Sequence, residues 1–150
     1  MTGTSRDRLD LVDAAVDRAV ADVLPERDHD IAELVLALCD HQVRDASMVQ
    51  PDLAHTLAAQ RLWTALVLAT PQPYRTLPAS MSTYTAYLLG GAQLFRDSIG
   101  YTLDVDPDDR PGPPSAPVGL IMPPEIVRRA AERTAAHARA RIQGSTERRQ

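Results

Sequence analysis

The chain has no lysine; all sixteen of its basic residues are arginines. Together with the abundant alanine and aspartate, this pattern reflects GC-rich coding rather than a functional device. It also removes the cation that a phosphate-cradling loop needs, and no glycine-rich loop is present to use one. Cysteine is nearly absent. The single Cys39 excludes an internal disulfide framework, and its apolar surroundings in Leu34-Val-Leu-Ala-Leu-Cys39 predict a small buried hydrophobe. No run approaches the roughly 20 apolar residues needed to cross a bilayer. The first residues, Met1 to Asp7, lack the apolar centre of a signal peptide, so cytoplasmic residence and no membrane partner are expected. Alternating β-branched runs are missing as well, which excludes a sheet and predicts an all-α fold.

At 150 residues, 44% hydrophobic and 24% charged, the chain reads as one soluble globular domain. Its net charge of -4 argues against a protein that coats nucleic acid. The charge is unevenly placed. Residues 1–30 carry eight acids against four arginines, whereas residues 125–150 carry seven arginines against three glutamates. The six aromatic residues are also confined: Trp63, Tyr74, Tyr84, Tyr87, Phe95 and Tyr101 fall in one stretch. Aromatic side chains bury the largest areas, so the dense part of the core is expected there.

Helical periodicity organises the rest. Leu9, Val12, Val16, Ala19, Val20 and Val23 predict a helix over about 6–24, capped near Thr4-Ser5 and ended by Pro25. Asp28 or Asp30 caps a second helix carrying Ile31, Leu34, Val35 and Leu38, which bends near Asp40-His41 before Val43 and Met48. Pro51 suits the first position of a third helix through Leu53, Leu57, Leu62, Leu66 and Ala69, stopped by Pro71 and Pro73. A fourth runs from about Leu77 to Leu89 with a Gly90-Gly91 stop, and a fifth spans about 92–103. Five prolines and four aspartates make residues 104–117 a loop, after which the apolar Val118–Met122 re-enters the bundle. A last, basic helix runs from about Pro123 to Ile142 and packs on the same domain, leaving 143–150 as a disordered tail. The expected architecture is a compact bundle of about six helices in a single domain over 1–108, completed by the segment 118–142.

Gly90, Ile99, Leu103 and Pro107 stand at spacings of nine, four and four, which resembles the second half of a tetratricopeptide repeat. Phe95 and Thr102 occupy sites where such repeats want small residues, and no second copy precedes it. A TPR-like hairpin at about 77–103 is the reading, and a solenoid is not. A wider resemblance rests on Arg44-Asp45, Leu62-Trp63-Thr-Ala-Leu66, Thr70-Pro71, Pro73-Tyr74-Arg75, Pro78-Ala79, Ala86-Tyr87-Leu88, Gly90 and Leu103-Asp-Val-Asp-Pro107. In this order they resemble the C-terminal half of the actinobacterial domain of unknown function numbered 4192, over about residues 30–108. That resemblance implies a fold and no chemistry.

The candidate sites are few. His29, His41, His55 and His137 do not stand at i, i+4 with a second ligand, and Cys39 has no Cys-x-x-Cys mate, so no metal and no cofactor is expected. Ser80, Ser82 and Ser98 lack a nucleophile elbow, and no catalytic residue is assigned. Arg44-Asp45 reads as an inter-helix tie, with the guanidinium on a carboxylate and the aspartate capping a neighbouring helix. Tyr74-Arg75 reads as a loop clamp, its ring packed down and its guanidinium on carbonyls at a helix end. The alternative is a partner or ligand surface lined by Trp63, Tyr74, Arg75, Tyr84 and Tyr87, residue types that dominate binding hot spots. Arg128, Arg129, Arg133, Arg139 and Arg141 would decorate the last helix, facing nucleic acid or docking on the acidic N-terminal helix of this chain or another. The leading expectation is a non-catalytic protein-interaction or assembly domain with a protein partner or a homo-oligomer. A nucleic-acid-associated regulator is the rival, and an enzyme ranks third.

Overall fold

The computed structural model describes residues 3–90 and 124–147. The readings of a helix at 92–103, the loop at 104–117, the apolar segment 118–122 and the second arm of the TPR-like hairpin lie outside them. The described residues form six helices and no strand: α1 (Ser5–Val20), α2 (Asp28–Leu38), α3 (His41–Ser47), α4 (Leu53–Ala69), α5 (Thr76–Leu88) and α6 (Pro124–Glu147).

A reciprocal capping box starts α1. The Asp7 N–H donates to Thr4 Oγ1 at 3.2 Å, and the Thr4 N–H donates back to Asp7 Oδ2 at 2.8 Å. Leu9, Val12, Val16 and Ala19 are buried as their spacing predicts, but the helix stops at Val20 rather than at 24. Asp22 adopts the left-handed conformation (φ 66), so the Asp22 N–H reaches Ala19 O and the Val23 N–H reaches Arg18 O. These are the two bonds of a Schellman stop, made here with aspartate where glycine is usual. Val20 and Val23, expected on the apolar face, are therefore 41% and 54% exposed.

The bend expected near Asp40-His41 is a full break. Asp40 caps a separate helix, α3, by accepting from the Gln42 N–H at 3.0 Å. The cap assigned to α2 is also corrected: Arg27 holds that position without a side-chain bond, while Asp28 and Asp30 sit in the first turn, where the helix dipole favours acids. In α4 the cap is Asp52, and Pro51 precedes it rather than opening the helix. Buried pairs then recur every four residues: Ala58-Ala59, Leu62-Trp63 and Leu66-Val67. Leu53 and Leu57 point away from that stripe, roughly opposite Leu62 at about 100° per residue, and both are exposed.

Pro78 lies in the first turn of α5, where no intrahelical N–H is missed. At its other end Gly90 takes φ +70, and its N–H closes the helix on Tyr87 O at 3.0 Å. Thr83 and Thr85 are buried in α5 because each hydroxyl donates to the carbonyl four residues back. The core sits where α4 packs against α1 and α5; α6 lies mainly along α3 and also touches α1 and α5. It runs five residues past the expected end, so the helix continues into what was read as a tail.

Candidate functional site

The four aromatic residues among the described ones, Trp63, Tyr74, Tyr84 and Tyr87, do not form one surface. Trp63 is fully buried in the core between α4 and its neighbours, and its indole N–H has no acceptor among the described residues. It lines no groove. Tyr84 and Tyr87 are half-buried on α5. The Tyr84 hydroxyl is pushed above its ordinary value by burial and then by the Asp45 carboxylate. Tyr74, expected to pack down, is instead 52% exposed. It overlooks an open, mainly apolar groove of about 470 Å³ between α2 and the end of α4, lined by Ile31, Ala32, Val35, Leu36, Ala69 and Pro71 among others. The clamp beside it does form: Arg75 Nε donates to Thr70 O at 2.7 Å, at the C-cap of α4.

Arg44 ties helices by another route than expected. Its guanidinium donates to Leu38 O at 2.9 Å, satisfying a terminal carbonyl of α2 in place of a carboxylate. Asp45 caps none of α1–α5. The carboxylate that joins elements here is Asp40. Besides capping α3, it accepts from Ser5 Oγ at 2.6 Å and from Arg8 at 3.4 Å. Burial pushes its carboxyl upward, but the Ser5 hydroxyl, the Gln42 and Val43 N–H groups and Arg8 outweigh that and hold it below the usual range.

The five arginines of α6 divide into two kinds. Arg128 turns inward and donates to Leu88 O at the end of α5. Arg139 also turns inward: it holds Asp13 of α1 with two bonds of 2.8 and 3.0 Å and donates from Nε to Ala46 O at 3.1 Å. Asp13 raises the Arg139 guanidinium above its ordinary value against the opposing effect of burial. Arg129, Arg133 and Arg141 remain exposed. They do not share a face with the inward pair.

Two clefts flank α6 as a result. On the α1 side an open cleft of about 470 Å³ is lined by Asp13, Asp17, His55, Glu132, Ala136 and Arg139, among others. His55 was not singled out by its sequence spacing, although Asp52 stands three residues before it. Its Nδ1 lies 2.7 Å from Asp52 Oδ1 and its Nε2 3.4 Å from Asp17 Oδ1, and these carboxylates raise its pKa. On the α3 side a cleft of about 290 Å³ is lined by His41, Asp45, Arg133, Thr134, His137 and Arg141, among others. Of the remaining sequence candidates, exposed His29 does stand at i, i+4 with an acid, approaching Glu33 to 3.6 Å. Cys39 is exposed rather than buried, because it follows the last core residue of α2; its thiol donates to Val35 O. Among the described residues no three His, Cys, Asp or Glu side chains are arranged to hold a metal ion, and no helix is long and apolar enough to cross a membrane.

The model of one protein family, the domain of unknown function DUF4192, matches residues 2–110. The chain belongs to this family. The match starts before α1, a helix the sequence resemblance left out, and it ends before α6. The DUF4192 region thus contributes Asp13, Asp17, Asp45 and His55, while the arginine-rich helix that completes both clefts lies beyond it. No curated protein and no solved structure matches the chain.

Proposed function

We propose that this chain is a non-catalytic helical domain that serves as a protein-interaction or assembly module. The observation that carries this reading is its exposed apolar surface. Leu53 and Leu68 on the outer side of α4 are each 67% exposed, and Leu36 and Tyr74 rim the α2–α4 groove. An open apolar groove with exposed side chains on its rim is a surface on which a partner can bury apolar area. Tyr74 and Arg75 keep the role of partner-facing residues in this reading, with Arg75 holding the loop that presents the tyrosine. Leu36→Asp with Tyr74→Ala tests it by affinity capture and cross-linking. The variant is expected to lose partners that the wild type retains while keeping its helical circular dichroism. Wild-type protein that captures nothing and stays monomeric over the accessible concentration range sinks the reading.

A second reading, a nucleic-acid-associated regulator, draws support from outward Arg129, Arg133 and Arg141 alone, since Arg128 and Arg139 are engaged within the fold. Three phosphate contacts give a log–log salt slope of only about -2 to -3. A mobility shift with this salt slope, abolished by replacing the three arginines, would favour that reading over assembly.

A further inference from the structure

The outer side of α6 separates clefts of opposite sign. At the level of residues 132–141, the α1 side presents Asp13, Asp17 and Glu132 against one guanidinium, that of Arg139. Asp13 is satisfied by that arginine, which leaves Asp17 and Glu132 facing outward beside His55. At the same level the α3 side presents Arg133 and Arg141 against one carboxylate, that of Asp45, with His41 and His137 alongside. The ridge between them is low. Ala136 and Ala140 are exposed at helical spacing, and Gly144 extends the line towards the C-terminus.

A surface with acid on one flank of a helix and base on the other, at equal height, is complementary to itself under one symmetry only. If two copies meet across α6 with the two-fold axis running along the helix, left and right exchange and the acidic flank of each copy faces the basic flank of the other. If the axis runs across the helix, each flank meets its own kind. The first arrangement sets the two helices parallel. It places like helix ends together, but those ends carry about half a charge each and fade within one turn. The second sets whole carboxylates against carboxylates and guanidinium groups against each other. The full charges decide.

We propose that the outer face of α6 is a self-pairing surface on which a second copy of this chain docks with its own α6 parallel, acidic flank against basic flank. This rests on the reading of the chain as an assembly module and names its partner. Small residues along the ridge let the two backbones approach, and the symmetric interface uses the same patch on both copies. Because its charged groups are exposed, the pairing is sensitive to ionic strength.

Light scattering of the full chain against concentration, at low and high salt, tests it first. A dimer that weakens with salt is expected. Arg133→Glu and Glu132→Arg each place like charges across the axis and should weaken dimerisation by about tenfold or more, a change of at least about 1.4 kcal/mol. The double variant restores opposite signs and should recover the dimer, and this recovery also shows that neither change merely unfolds the helix. In a Cys39→Ser background, Ala136→Cys, Ala140→Cys and Gly144→Cys should each give a disulfide-linked dimer, because a parallel pair brings every position against itself. Cross-linking at one position only would reveal an antiparallel pair and overturn the proposal. A dimer indifferent to both charge reversals overturns it too. Protein that stays monomeric while capturing another partner sinks self-pairing and leaves the interaction reading standing, whereas a monomer that captures nothing sinks both.

Discussion

The two longest helices are attached to the domain in different ways. Over its 17 residues α4 buries Leu62, Trp63 and Leu66 completely. Over 24 residues α6 buries Val127, Ala131, Ala135, Ala138 and Ile142. Each buried methylene is worth about 0.8 kcal/mol, so an alanine-lined face gains little where a leucine- and tryptophan-lined one gains much. What α6 lacks in volume it replaces with direction: Arg128 seeks the carbonyl end of α5, and Arg139 grips Asp13 and Ala46 O together. Apolar burial holds α4 whatever its fine orientation. Hydrogen bonds with fixed geometry hold α6 at one rotation about its axis, and that rotation is what turns the clefts outward.

The contrast breaks most visibly at Trp63. Trp63→Ala should cost about 3–5 kcal/mol of global stability, read from the denaturation midpoint. Trp63→Phe should cost only about 1–2 kcal/mol, because it keeps most of the volume and removes an N–H buried without a partner among the described residues. A near-zero change for Trp63→Ala would mean the core does not depend on α4. Next comes Ile142, the largest buried side chain of α6. Ile142→Ala should cost about 2–3 kcal/mol. Hydrogen exchange should then show α6 losing protection before α4 does, since a thinly packed terminal helix opens first. Equal loss in both helices would make them one cooperative unit and remove the distinction.

Arg139 probes the directional half. Both it and Asp13 have side chains 34% exposed, so solvent screens the pair and Arg139→Ala should cost about 1–2 kcal/mol. Arg139→Lys should recover little of that loss, because an ammonium cannot hold two carboxylate oxygens and a carbonyl from one planar fork. A double-mutant cycle with Asp13→Ala measures the coupling directly. No coupling would mean that the Arg139–Asp13 pair adds nothing to the hold that apolar burial and Arg128 give α6.

These differences also explain what could be read from sequence. The body of α1 was legible in Leu9, Val12, Val16 and Ala19, because burial follows a local period. Its end was not: Pro25 is a visible stop signal, while a left-handed Asp22 is one of many aspartates until the chain has turned there. The break at Asp40 was legible as a bend. Its bonds to Ser5 and Arg8, 35 and 32 residues away, depend on how α1 settles against α3. The last helix shows the limit most clearly. Its excess of arginine was plain, but all five residues carried one label, and only packing sorts Arg128 and Arg139 from Arg129, Arg133 and Arg141. The partner of Arg139 is 126 residues distant, with nothing in the local pattern to point to it. Trp63 was placed correctly among core residues by size alone, and the same argument misplaced Tyr74, whose hydroxyl gives it a reason to stay wet.

The smallest effect belongs to His55, where the α1 side of the α6 cleft meets the start of α4. Asp52 accepts from both the His55 backbone N–H, at 2.9 Å, and its Nδ1, at 2.7 Å. The bond from Asp52 is the main reason the imidazole is held above its ordinary value of about 6.5; burial opposes it, and Asp17 adds to it. A raised folded-state value means protonation favours the folded chain. The contribution is complete below about pH 6.5 and disappears as pH rises through the folded value. Asp52 works in the other direction: its carboxyl is lowered by the His55 N–H and imidazole, so its share is present above the ordinary aspartate value and is lost as pH falls through the lowered one. The pair is therefore strongest between those limits. Asp52 and Asp17 are 55% and 71% exposed, so the effect stays small. His55→Gln keeps the backbone cap and removes only the titrating ring. Its Tm should fall below that of the wild type at about pH 5.5 to 6, and the two should converge as pH rises past the raised folded-state value. Glu132, Asp13 and Arg139 face the same cleft from α6 and α1, so the measurement belongs at low salt, where their field is least screened. Parallel Tm profiles across that range would show that the ring carries no charge that matters to the fold, and that its contact with Asp17 adds nothing to the hold of α1 on α4.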